Sequence, residues 1–259
     1  MINTQKTIII TGASSGLGAA LAVHYSKQHH RLFLFGRSHA RLHEVSESCK
    51  ANGSDIQTFS EDVTDANSMK RCLETIAREQ NIDIVIACAG VSAGTLQGPE
   101  TLEQVQKIFD TNIYGVLNTI MPIIPYMIKQ QKGNIAIVSS MAGIIGLSCA
   151  PSYSASKGSM RLFSDALRGY LQRYNITVTT IIPGYIQTPM TKVNQFPMPF
   201  IISAEKAAEK VAAGIACNKH LVTFPWILYI FMKLCCLLPA GLLTYINSKL
   251  PGKPAFAEK

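Results

Sequence analysis

Short, continuously apolar runs alternate along this chain with segments whose apolar residues recur every three to four positions. TIIIT (7–11), RLFLFG (31–36), DIQTFS (55–60), IDIVIACAG (82–90), NIAIVSS (134–140), ITVTTIIPG (176–184) and HLVTF (220–224) each predict a strand. Helical segments are predicted over 19–28, 39–52, 65–80, 102–131, 152–173 and 204–218, with Asp65 capping the third. Pro122 and Pro125 bend or break the long segment 102–131. Residues 185–203 read as loop. Strands that are apolar throughout, separated by helices, predict a parallel sheet covered on both faces. Right-handed crossovers then give a doubly wound, Rossmann-type α/β fold, with its ligand at the carboxyl edge of the strands. No internal repeat, low-complexity tract or linker interrupts the pattern. The expectation is a single domain over 1–220, followed by an apolar extension over 221–259.

Composition narrows the function. At 259 residues and 47% hydrophobic, the chain can bury a large core, and 15% charged residues argue against disorder. The net charge is +8, but Lys and Arg are scattered and form no basic run with interleaved aromatics. Nucleic acid is therefore not expected as a partner. An anionic cofactor or a membrane surface remains. Seven cysteines, an odd number with no CxxC, fit reduced thiols in a cytoplasmic setting. His39 and His43 lack a third ligand, so no metal site is expected. MINTQK carries no apolar leader, and no cleaved signal peptide is expected.

TGASSGLG (11–18) lies where the first strand becomes the first helix. Gly12 permits a tight turn, and Gly16 and Gly18 allow backbone and helix to approach a pyrophosphate. Free N–H groups at the helix start face its charge. Ser14, Ser15 and Leu17 complete this cofactor-binding turn. At the end of the second strand an NAD site wants a carboxylate for the ribose hydroxyl. This chain has Gly36-Arg37-Ser38 instead, and a guanidinium suits a 2′-phosphate. The expected cofactor is NADP(H) in preference to NAD(H); the plainer alternative is that Arg37 caps the loop. Asp62 and Val63 are expected beside the adenine. Ala89 and Gly90, ending the fourth strand, would pass under the adenosine ribose.

In PSYSASKGSM (151–160), Tyr153 and Lys157 are one helical turn apart with small residues around them. A lysine ammonium favours phenolate, and a tyrosine of ordinary pKa near ~10 needs such help to exchange protons at neutrality. Ser139 and Ser140 end the fifth strand, and Asn112 lies in the preceding long helix. TGASSGLG, Asp62-Val63, CAG, Asn112, VSSMAG, YSASK and PGYIQT resemble the short-chain dehydrogenase/reductase family in order and spacing, up to about residue 220.

The resemblance implies a nicotinamide-dependent oxidoreductase with Asn112, Ser140, Tyr153 and Lys157 as catalytic residues. Tyr153 would be the general acid/base and Lys157 its partner and a ligand of the nicotinamide ribose. Ser140 would hold the substrate oxygen, and Asn112 would position a water for a proton relay. Pro183, Gly184, Ile186 and Thr188 would contact the nicotinamide. It also implies a homodimer or homotetramer. Two departures stand out. Ala87 and Cys88 replace a frequent pair of asparagines, and Ser15 stands where many NADP-using relatives are basic, which leaves phosphate selectivity to Arg37.

TKVNQFPMPFII (191–202) would cover the substrate with Phe196, Met198 and Phe200, implying a small hydrophobic carbonyl or alcohol, or else pack on the core. FPWILYIFMKLCCLLPAGLLTYI (224–246) is nearly long enough to span a bilayer. Lys233 and Pro239 favour two shorter helices instead. They would lie on the cytoplasmic face of a membrane as a peripheral contact, cover the pocket, or pack on a partner subunit.

Overall fold

The computed structural model describes residues 5–256. The leader reading at the N-terminus and the last residues of the extension fall partly outside that range. The first half alternates strictly: β1 (Thr7–Thr11), α1 (Gly16–Ser26), β2 (Arg31–Phe35), α2 (His39–Ala51), β3 (Ile56–Phe59), α3 (Ala66–Glu79) and β4 (Ile84–Ala87). Then come α4 (Leu102–Phe109), α5 (Gly115–Ile120), α6 (Ile124–Gln130), β5 (Gly133–Val138), α7 (Pro151–Leu171) and β6 (Ile176–Pro183). A small parallel pair, β7 (Ile186–Gln187) and β8 (Ile202–Ser203), brackets α8 (Pro189–Lys192). The chain continues through α9 (Ala204–Ala216), β9 (Leu221–Phe224), α10 (Trp226–Cys235) and α11 (Ala240–Asn247).

The main sheet has seven strands in the order β3-β2-β1-β4-β5-β6-β9, and every neighbouring pair is parallel. The order reverses between β1 and β4, which opens a crevice at their carboxyl ends. Alternate residues of each strand enter two cores. Ile8 and Ile10 pack with Leu21 of α1 and Val211 of α9 on one face. Ile9 packs with Met69 and Leu73 of α3 and with Ile120 on the other. Burying each such side chain contributes about 1.5–3 kcal/mol. Both faces are therefore dry, which is why the strands read as unbroken apolar runs.

Side chains cap the starts of several helices, Thr101 at α4 among them. Ser38 accepts from Arg41 N, Asp65 from Ser68 N at 2.9 Å, and Ser203 from Lys206 N. The segment expected as one long helix is three. A π turn at Asp110–Tyr114 follows α4, and the chain breaks again at 121–123, where Pro122 and Pro125 withhold backbone donors. The stretch 185–203, read as loop, holds β7, α8 and β8. Leu221–Phe224 pairs with β6 as the edge strand of the sheet. As expected, the extension is two helices divided at Pro239. Among the described residues no helix is long and apolar enough to cross a membrane.

Candidate active site

A cleft runs along the carboxyl edge of β1, β2, β4, β5 and β6. Gly12, Ser14, Ser15, Gly16, Leu17 and Gly18 form its floor at the start of α1. Gly12 and Gly16 have φ of +69° and +55°, a conformation costly for any residue with a side chain. A Cβ on Gly12 would stand 2.9 Å from the Ala89 backbone, and one on Gly18 would collide with the Gly12 carbonyl. Ser15 makes no side-chain cap bond and the first turn of α1 has no acid. The backbone N–H groups of that turn thus offer an uncontested cradle for anions, and the donor set fits a pyrophosphate.

Arg37, Asp62 and Val63 line the far end, and Arg41 joins them. Arg41 was missed from the sequence, although it lies one helical turn beyond Arg37, just inside α2. Arg37 Nη1 rests 3.7 Å from Asp62 Oδ2, and both side chains are exposed, so the ion pair is weak. Asp62 is fixed instead by its own turn, accepting from Thr64 N and Oγ1 at 3.0 Å each. Asn118 of α5 donates to the Val63 carbonyl at 2.9 Å and sets that residue's height in the cleft.

Ala89 and Gly90 line the middle. With asparagines absent at 87 and 88, the Thr11 hydroxyl accepts from Cys88 N and Ala89 N at 3.2 and 3.4 Å, holding β4 to β1. Cys88 also borders the cleft, but burial lifts its thiol to about 11 and keeps it neutral.

Ser140, Tyr153 and Lys157 meet at the other end. Ser139 lines the cleft as well, but its side chain is engaged elsewhere. Its hydroxyl donates to the Lys157 carbonyl at 2.8 Å and straps α7 to β5. Gly143, in the short 3-10 turn Met141–Gly143, lies so close to α7 that a Cβ there would be 2.6 Å from the Lys157 carbonyl carbon. Lys157 is 4% exposed and donates from Nζ to the Val138 carbonyl at 2.9 Å. Burial draws its pKa down to about 8. The Tyr153 phenol, expected to be made acidic by that ammonium, is raised instead. Burial outweighs the lowering effect of the Ser140 hydroxyl, and Lys157 Nζ stands 6.0 Å from the ring centre. Tyr153 is therefore held protonated in this state of the site.

Asn112 alone of the expected residues does not line the cleft. It is fully buried behind it, in the π turn. Its amide accepts from Val91 N at 2.8 Å and donates to the Val91 carbonyl and to Ser156 Oγ at 2.9 and 3.0 Å. The side chain thus joins the loop after β4 to α7, and its Oδ1 borders Gly90 together with Lys157 Nζ.

Pro183, Gly184, Ile186 and Thr188 close the cleft, with Met190 and Thr191 beyond them. Gly184 N donates to the Phe224 carbonyl at 2.8 Å, so β9 anchors this turn. Thr191 Oγ1 accepts from Thr188 N at 3.1 Å, and the Thr188 methyl approaches Gly16 from across the cleft. Above it, Phe196 packs edge-on against Tyr185, with ring centres 6.2 Å apart, while Phe200 points to solvent.

These residues could hold a nicotinamide dinucleotide along the whole cleft, phosphates at Gly12–Gly18 and nicotinamide beside Tyr153. Such a cofactor would supply the hydride for a carbonyl or take it from an alcohol.

Comparison with known proteins points the same way. Residues 6–196 match the short chain dehydrogenase family. An uncharacterized oxidoreductase of Myxococcus xanthus is 34% identical over 237 residues, covering 91% of this chain and 94% of the relative. A short chain dehydrogenase/reductase from Burkholderia phymatum, solved in complex with NAD, shares the fold with a TM-score of 0.83 at 17% identity, covering 99% of this chain and 100% of that one. A short-chain dehydrogenase from Sphingobium yanoikuyae in complex with NADPH does so with a TM-score of 0.78 at 22% identity, covering 95% and 96%. The chain belongs to the short-chain dehydrogenase/reductase family of oxidoreductases.

Proposed function

We propose that this protein is an NADP(H)-dependent oxidoreductase that interconverts a hydrophobic carbonyl compound and its alcohol, with Tyr153 as general acid/base. The observation that carries the reading is the convergence of Ser140, Tyr153 and Lys157 at one end of a cleft whose other end is a phosphate cradle. In carbonyl reduction the protonated phenol gives its proton to the substrate oxygen. The Ser140 hydroxyl steadies that oxygen as charge develops. Lys157, brought near neutrality by burial, exchanges a proton with the Tyr153 side. The rival is a dinucleotide-sensing protein without turnover. Tyr153→Phe tests between them: NADPH binding is expected to persist while turnover falls by about 10²–10⁴-fold. A variant as active as wild type would end the reading.

NADP(H) is favoured by two guanidinium groups, Arg37 and Arg41, at the adenosine end, with no carboxylate at the end of β2. An apolar substrate is favoured by the aromatic pair Tyr185 and Phe196 in the segment that follows Gly184.

The same proposal places the protein at the cytoplasmic face of a membrane. Its seven cysteines are free thiols, as a reducing compartment leaves them. Helices α10 and α11 and the turn between them present Trp226, Phe231, Leu237 and Tyr245 at 64, 61, 80 and 64% exposure. Lys233 and Lys249 stand among them, and no acid occurs between Glu209 and Glu258. That combination fits an anionic lipid surface.

A further inference from the structure

A second lysine reaches the proposed active site from the far end of the chain. Residues 253–255 run as a strap beside the loop after β4. Gly94 N donates to the Pro254 carbonyl at 2.8 Å and Leu96 N to the Lys253 carbonyl at 2.9 Å. Ala255 N donates to Gln97 Oε1 at 2.7 Å, and Lys107 Nζ lies over the Phe256 ring at 4.2 Å. The fit is close: a Cβ on Gly94 would stand 2.6 Å from both Cβ and the carbonyl oxygen of Lys253.

This strap carries Lys253 Nζ to 5.6 Å from the centre of the Tyr153 ring. Lys253 does not line the nucleotide cleft, although Tyr153 does. The ammonium therefore meets Tyr153 from outside the lining of the nucleotide cleft. Lys157 cannot substitute for it, because its Nζ is held by the Val138 carbonyl.

The amine is poorly compensated there. Cys149 and Tyr153 beside it are both raised and so neutral. Burial draws Lys253 down to about 8, so the charged form still prevails at neutrality and gains from any anion brought to it. A purely hydrocarbon substrate would leave the ammonium unsatisfied, which is costly in a water-poor site.

We propose that Lys253 is a specificity-determining residue whose ammonium binds a carboxylate on the substrate, so that the preferred substrate is an oxo- or hydroxy-acid with an otherwise apolar chain. The inference rests on the oxidoreductase reading and sharpens its substrate class. The apolar chain lies along Tyr185 and Phe196, the reacting carbon stands at Tyr153, and the acid end turns toward the strap.

The test uses methyl-ketone carboxylates of several chain lengths, each paired with its methyl ester, and NADPH. Wild type is expected to prefer one or more acids over the matched ester in kcat/KM. Lys253→Met is expected to lower that acid-over-ester ratio at least tenfold, and Lys253→Arg to restore most of it. A ratio unchanged in Lys253→Met, an equal loss for acid and ester, or a wild-type preference for the esters overturns the proposal. Should wild type reduce no ketone of either set, the oxidoreductase reading fails on its own. Lys253 is then decided by calorimetric binding of the carboxylates to the NADPH complex. At least tenfold weaker binding to Lys253→Met supports it, and equal binding overturns it.

Discussion

Lys157 of α7 is tied to the end of β5 by a hydrogen bond from its ammonium to the Val138 carbonyl at 2.9 Å. One backbone oxygen is poor compensation for a cation that is 4% exposed, and its pKa falls from 10.5 to about 8. Below about pH 8 the amine is charged in folded and unfolded chains alike, and the full cost of its burial is present. Above about 10.5 it is neutral in both, and the cost is gone. Stability contributed by this group therefore rises with pH across that window. Lys157→Met removes the effect. Its stability relative to wild type is expected to be about 3 kcal/mol more favourable near neutrality than at the alkaline end. Urea unfolding of both proteins across the window measures it, and a difference independent of pH would refute the assignment.

Much of this was legible in the sequence because a doubly wound sheet leaves local marks. Ile8, Ile9 and Ile10 are all buried, on alternate faces, so β1 reads as an apolar run that could be nothing but interior. Gly12, Gly16 and Gly18 announce the cradle because only glycine meets its backbone and contact demands. What was not legible depends on distant chain meeting the site. That Asn112 ties the loop after β4 to α7 depends on the π turn that buries it beside Gly90. Arg41 needed the capped start of α2 to aim it at the cleft. The phenol's raised pKa needed the burial that only tertiary packing provides. Lys253 sits in a strap whose pairing with residues 94–97 no periodicity encodes.

Arg37 and Arg41 are the two cations at the adenosine end. A charged hydrogen bond of this kind contributes about 1.5–3 kcal/mol. Arg37→Ala is therefore expected to lower the preference for NADPH over NADH about 10- to 100-fold in kcat/KM, and the Arg37/Arg41 double variant to lower it further. A preference unmoved by either change would make Arg37 a loop cap and leave the phosphate without a receptor.

Gly143 offers a test of how the proposed catalytic pair, Tyr153 and Lys157, is positioned. Alanine there would press its methyl group on the backbone of Lys157 and Gly158, at 2.6 and 2.7 Å, and neither can move without α7. Gly143→Ala is expected to cost about 1–3 kcal/mol of stability and to lower kcat up to about 10²-fold through displacement of Tyr153. Gly169→Ala, on the same helix with open space around it, is expected to stabilise by about 0.5–1 kcal/mol and leave kcat alone. Equal behaviour of the two variants would show that the close approach of Gly143 does not position α7.

The apolar surface of α10 and α11 separates a bilayer from a second copy of the chain by its charge. Lys233 and Lys249 lie among the exposed side chains, and a self-complementary interface would bring these like charges together without acids to offset them. A lipid surface bearing phosphatidylserine instead attracts each by about 1 kcal/mol. Phe231 and Leu237, both more than half exposed, would each gain about 1.5–3 kcal/mol on entering the acyl boundary. The protein is therefore expected to co-sediment with vesicles of phosphatidylcholine and phosphatidylserine. Phe231→Glu with Leu237→Glu should weaken that partition at least tenfold, while kcat on a water-soluble ketone holds. Wild-type protein that ignores vesicles, but falls from dimer to monomer with the same two changes, would assign the surface to a partner subunit.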